Sequence, residues 1–204
     1  MSCAPKLGIR LNKFVAPNRK IKKVYIHCSA ASRKDIDANE VHLWHKRRGF
    51  SCIGYHYFMR SDAVIEQGRN IERMPSAQKR HNWRTLAICV NGLHISDFSA
   101  YQLNELLDFC KEINRQIPGV TFHGHCEVSA KTCPVFGYKG VLGLDAKGRM
   151  IAGKATAKVD KESVKDMEDA KILVPRHVVK TWQKANGLYP DGVIGPLTWA
   201  KLEE

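Results

Sequence analysis

The chain has 204 residues, 44% hydrophobic and 26% charged, the balance of a globular protein rather than a disordered or fibrous one. Its apolar runs fall far short of the roughly 18–20 residues a membrane-spanning helix needs, and MSCAPKLGIRLNKF at the N-terminus lacks the apolar stretch of a secretory signal. Lys and Arg number 33 against 20 Asp and Glu, a net +13. The excess lies in residues 1–159, where 26 basic face 12 acidic residues, a net of +14; residues 160–204 hold 7 and 8. Such a field favours polyanionic partners, either nucleic acid or an anionic bacterial envelope. Seven cysteines, an odd number in a chain of this size, argue against a disulfide framework.

Residues 1–22 read as an irregular basic arm. VYIHCSA (24–30) alternates apolar and polar and predicts a strand. Asp37, with Glu40 three residues on, predicts a helix N-cap; the helix runs to about Arg48, where Gly49 stops it. GYHYFMR (54–60), a turn at Ser61-Asp62 and AVIEQ (63–67) predict a hairpin. LAICVNG (86–92) is a continuous apolar run, the pattern of a buried strand. Ser99 with Gln102 opens a second helix, on which Leu103, Leu106, Leu107, Cys110 and Ile113 mark one face. VTFHG (120–124) predicts a further short strand. The small, charged stretch 145–162 reads as linker, placed at 151–162. Beyond it, Pro175 opens a helix ended by Gly187, and PLTWAKL forms a last short helix. The expected organisation is an arm over 1–22, a main α/β domain over 23–150 with a mixed central sheet flanked by helices, the linker, and a small three-helix module over 163–204.

The chemistry concentrates in His123-Gly-His125-Cys126-Glu127-Val-Ser-Ala-Lys131-Thr-Cys133-Pro134. Imidazole, thiolate, carboxylate and amine crowd this stretch, without the CxxC or paired-His spacing of a zinc finger. A catalytic zinc needs three protein ligands and one open position. His27, near the end of a strand, is the natural partner from a distant segment.

IHCSA (26–30), GYHYFM (54–59) and HCEVSAKTCPVF (125–136), in that order, closely resemble the zinc-dependent N-acetylmuramoyl-L-alanine amidases of the phage T7 lysozyme type, the amidase-2 family, which shares its fold with peptidoglycan recognition proteins. The resemblance spans about residues 22–136. It implies zinc held by His27, His125 and Cys133, with Tyr55 and Lys131 as catalytic residues. Zinc and the Lys131 ammonium would stabilise the oxyanion of amide hydrolysis, and Tyr55 would orient water or assist proton transfer. Glu127 is expected as a supporting partner, Cys126 as no ligand, and His45 as a support of the site. Relatives often carry a His where this chain has Ala77, which bears on substrate contacts or on the side chains that support the site, not on zinc itself.

VVKTWQKANGLYPDGVIGPLTWAKL (178–202) resembles the peptidoglycan-binding type 1 domain through Val179, Gln183, Asp191-Gly192-Val193-Ile194-Gly195 and Thr198. Together the two resemblances imply a phage endolysin that hydrolyses the amide between N-acetylmuramic acid and L-alanine of peptidoglycan and causes host lysis. It would be a monomer made in the host cytoplasm, reaching the wall at lysis. A non-catalytic peptidoglycan-recognition protein is the alternative, disfavoured by the presence of Cys133, Lys131 and Tyr55. A nucleic-acid binder has only the charge in its favour.

Overall fold

The computed structural model describes residues 7–151 and 176–186. Five strands, β1 (Lys23–Cys28), β2 (Tyr57–Met59), β3 (Ile65–Gln67), β4 (Thr85–Val90) and β5 (Thr121–Gly124), form one sheet in the order β3-β2-β4-β1-β5. β1 runs parallel to both β4 and β5, and β2 parallel to β4; β3 pairs antiparallel with β2. The helices are α1 (Ala38–Arg47), α2 (Ala100–Gln116), α3 (Tyr138–Val141) and α4 (Arg176–Ala185). The mixed sheet with flanking helices is the architecture expected from the sequence.

Local chemistry explains the boundaries. The Asp37 carboxylate accepts the Glu40 N–H at 2.8 Å and starts α1. The helix ends before Gly49, whose φ of +82° suits a residue without a Cβ. Ser99 caps α2 by accepting the Gln102 N–H at 3.1 Å. Leu103, Leu106, Leu107, Cys110 and Ile113 of α2 are all buried against the sheet. Every residue of β4 is buried, which accounts for its unbroken apolar run.

Three stretches depart from the pattern read in the sequence. The hairpin strands are shorter than the predicted 54–60 and 63–67; at the predicted start, the Gly54 carbonyl accepts the Ser76 N–H of another loop at 3.0 Å. Residues 145–150, placed in the main domain although their composition reads as linker, are folded with Ile151 beside them. The Asp145 carboxylate accepts the Lys147 and Arg149 N–H groups, each at 2.8 Å, and the Gly148 carbonyl accepts the Phe122 N–H at 2.7 Å. Composition suggested a solvated segment, but one well-placed aspartate closes the turn. Residues 7–22 are irregular, as expected, yet they pack. Gly8 and Leu11 donate to the Gln67 and Ile65 carbonyls along β3, at 2.8 and 2.7 Å. Phe14, 2% exposed, stands edge-on to Tyr57 and Phe109.

Of the module expected over 163–204, helix α4 lies within the described residues and lies against α2. The 191–195 loop, Thr198 and all of the expected linker except Ile151 fall outside them. Among the described residues no helix is long and apolar enough to cross a membrane.

Because Phe14 fills core volume, Phe14→Ala should destabilise the protein by about 3–5 kcal/mol, read as a lowered urea midpoint. An unchanged midpoint would mean that the N-terminal segment is only draped on the surface.

Candidate metal centre

Parallel strands end on the same side of a sheet, and open α/β sheets bind ligands there. β1 and β5 are neighbours in parallel register, with Ile26 opposite Gly124. His27 follows Ile26, and His125 follows Gly124 as the first residue of a 3-10 turn (His125–Glu127). Two imidazoles from segments about a hundred residues apart are thereby set side by side, with ring centroids 4.6 Å apart. The loop after the turn doubles back: the Cys126 N–H donates to the Cys133 carbonyl at 2.7 Å, and the Cys28 N–H donates to Cys133 Sγ at 3.2 Å. His27 Nδ1 lies 4.0 Å from that sulfur. One donor atom from each of His27, His125 and Cys133 lies within 4.8 Å of the other two.

The electrostatics suit a cation. Burial, then the neighbouring His125, pushes His27 down to about 3. Burial and then Lys131 lower His125 as well. Both rings are therefore neutral near pH 7 and offer lone pairs. The Cys28 and Cys133 thiols hydrogen-bond to one another, which lowers Cys28 to about 7 and raises Cys133. Two imidazoles and a sulfur, one buried and two partly exposed, are the donor set and count of a zinc site with three protein ligands; the residues present fit that ion.

The other residues singled out in the sequence also gather here. The Tyr55 ring lies 5.1 Å from the His27 ring, and its hydroxyl faces the Cys89 thiol on β4, next to His27 in the sheet. Burial raises Tyr55 well above its usual range, so the phenol keeps its proton. Gly54 is required beside it, because a Cβ there would collide with the Ser76 carbonyl. His45, 5% exposed, accepts the Gly54 N–H at Nδ1 and packs 5.4 Å from the Tyr55 ring. Lys131 is exposed on the loop between His125 and Cys133.

Glu127 is turned to other partners: His123 Nδ1 at 2.6 Å and the Tyr138 hydroxyl. Burial alone would raise its pKa, but the Tyr138 and His123 hydrogen bonds outweigh that and lower it. Cys126 is exposed and outside the trio of donors. Sequence reasoning missed Gln78. It is fully buried, and its Oε1 lies 3.2 Å from His27 Nε2. Ala77, singled out in the sequence, is its neighbour in the same loop. A lone glutamine in PSAQKR follows no periodicity or motif that would have marked it.

The family model described as N-acetylmuramoyl-L-alanine amidase matches residues 17–136, more than half of the chain and all five of these site residues. The chain belongs to the N-acetylmuramoyl-L-alanine amidase family. A second model, described as a putative peptidoglycan binding domain, matches residues 176–202 of this amidase. Among curated relatives, the amidase is 29% identical to the endolysin of Klebsiella phage KP32 over 59% of its own length and 85% of the relative's. It is 27% identical to the endolysin of Escherichia phage T7, over 57% and 82%. Solved structures share its fold. The endolysin amidase LysCS from Clostridium intestinale URNW has a TM-score of 0.54 at 22% identity, covering 60% of this chain and 81% of that one. Drosophila peptidoglycan recognition protein SD has a TM-score of 0.56 at 18% identity, covering 72% and 91%.

Two buried histidines of the amidase outside the trio accept backbone protons: His45 takes that of Gly54 at 2.9 Å, and His56 that of Ala87 at 3.0 Å. Burial pushes His45 to about 4 and His56 to about 3. Both lie below the unfolded value near 6.5, so as pH falls from 6.5 towards 4 the unfolded chain takes up protons that the folded one refuses. Stability of the metal-free protein is therefore fully present above pH 6.5 and should fall below it, by about 1.4 kcal/mol per pH unit for each such histidine. Urea midpoints at pH 7 and pH 5 check this; equal midpoints would contradict it.

Proposed function

We propose that this amidase acts as a phage-type endolysin whose zinc is held by His27, His125 and Cys133, with Tyr55 and Lys131 as the catalytic side chains. The reaction is hydrolysis of the amide between N-acetylmuramic acid and the L-alanine of the stem peptide, with peptidoglycan as substrate. The observation that carries the site assignment is the convergence of two neutral imidazoles and one sulfur at the ends of adjacent parallel strands, inside the family match. Zinc held there would supply Lewis acidity, to polarise the scissile carbonyl and to make water nucleophilic near neutral pH. The thiolate and two imidazoles leave a divalent ion with a net positive charge, suited to an anionic transition state. The Lys131 ammonium, on the loop joining two of the donors, adds positive charge for the oxyanion. Tyr55, held protonated by burial, offers a hydroxyl to orient water or to assist proton transfer.

The excess positive charge of residues 1–159 draws the protein to the anionic envelope, and the unit over 163–204 adds affinity for the wall, as its domain match supports. The protein works as a monomer. It is made in the host cytoplasm and reaches the wall when the cell is opened.

Two tests address this reading. Metal analysis should find one zinc per chain, lost with activity in Cys133→Ser and retained in Cys126→Ser. Tyr55→Phe and Lys131→Ala should keep zinc while losing roughly 10²-fold in turnover, scored by release of N-terminal alanine from muropeptides without new reducing ends. An active, zinc-replete Cys133→Ala protein would sink the ligand assignment. In the second test, removal of residues 159–204 should leave zinc and turnover on soluble muropeptides nearly intact but weaken retention on purified sacculi, most visibly at raised salt, where charge attraction is screened. Equal retention at every salt concentration would remove the wall-binding role.

A further inference from the structure

Gln78 belongs to the 68–84 loop, which lies over the face of the sheet carrying His27 and Thr85. Its backbone is pinned: the Asn82 Oδ1 accepts the Ala77 and Gln78 N–H groups at 3.2 and 3.1 Å, and the Gln78 carbonyl accepts the His81 N–H at 2.9 Å. The side chain is fully buried and spans two partners. Its Nε2 donates to Thr85 Oγ1 at 2.8 Å, and its Oε1 lies 3.2 Å from His27 Nε2.

The direction of every proton in this chain follows from the donors available. A threonine hydroxyl has one proton. Thr85 gives it to the Asn82 carbonyl, at 2.9 Å. Thr85 Oγ1 can then only accept from Gln78, so the amide NH2 faces Thr85 and the amide oxygen faces His27. An amide oxygen accepts and never donates. The single proton of a neutral imidazole is thereby held on Nε2, and Nδ1, the nitrogen that faces Cys133, keeps its lone pair.

We propose that Gln78 is a positioning residue that fixes the tautomer and ring orientation of His27, so that Nδ1 is the metal-binding atom. The inference rests on the reading of His27, His125 and Cys133 as zinc ligands. Gln78 acts through His27 and touches neither metal nor substrate. A partner on the far nitrogen of a ligating histidine raises the basicity of the near one and removes the cost of reorienting the ring; losing such a partner typically weakens metal binding about 10–100-fold. Ala77, without a polar side chain, leaves this task in the loop to its neighbour.

The test uses the full-length protein with Gln78→Leu, which keeps the bulk and removes the acceptor, and Gln78→Glu, which keeps an acceptor. Zinc affinity is measured by chelator competition on folded protein, the His27 tautomer by 15N shifts of its ring in the metal-free state, and thermal midpoints on all three proteins. Gln78→Leu should weaken zinc binding by about 10–100-fold and shift the His27 nitrogens away from the Nε2–H pattern. Gln78→Glu should restore the Nε2–H pattern and most of the affinity, although it gives up the proton donated to Thr85. A Gln78→Leu protein with wild-type tautomer and zinc affinity, even with a lower thermal midpoint, would reduce Gln78 to a loop anchor and overturn the proposal. If the wild-type protein takes up no zinc, the ligand assignment fails, while the tautomer measurement still decides what Gln78 does to His27.

Discussion

The parallel pairing of β1 with both β4 and β5 is the constraint on which the rest depends. It fixes His27 opposite Cys89 on one side and brings the end of β5 level with it on the other. Slipping β1 by one residue would turn His27 to the opposite face and point Cys28 at the site instead. The apolar faces of the strands therefore specify the chemistry indirectly. Val24 and Ile26 must enter the core with Leu86, Ile88 and Val90, and that requirement leaves Tyr25 and His27 on the other side. Packing energy from one face of the sheet holds the polar atoms of the other face in place.

How legible this was in the sequence depended on whether the interaction was local. N-caps at Asp37 and Ser99, the α2 stripe and the buried run of β4 could each be read because all the residues concerned lie within a turn or two of one another. The three candidate donors stood out for a different reason: His27, His125 and Cys133 sit in dense, ordered motifs that carry a family resemblance. Gln78 had neither advantage. Its partners, His27 and Thr85, lie on two different strands, and only the crossing of the 68–84 loop over the sheet brings them together. The 145–151 turn was not legible in composition, because small charged residues look alike whether they solvate a linker or knit a turn. Asp145 makes the difference by taking two backbone protons.

The site is also framed by groups that must stay uncharged. His27, His45 and His56 are all buried and all used as neutral rings, two of them accepting backbone protons and one engaging an amide. In a protein with so strong a positive surface, cationic rings at these positions would add repulsion to the loss of solvation. Most of the described lysines and arginines lie exposed instead, where water screens them; Arg19 is an exception beside these rings, half-buried and donating to the Thr85 carbonyl at 2.8 Å.

The two segments first read as arm and linker share one physical role. Residues 8–11 run along β3, the outermost strand on one side, and Gly148 takes the backbone proton of Phe122 on β5, the outermost strand on the other. Irregular backbone of the same chain thus meets both outer strands, along β3 over residues 8–11 and on β5 at Phe122. An open rim is a template on which a second molecule can add a strand, and crowded β-proteins aggregate by that route. Segments that composition alone would have marked as dispensable thus occupy backbone groups on both outer strands and leave fewer of them free for a second chain.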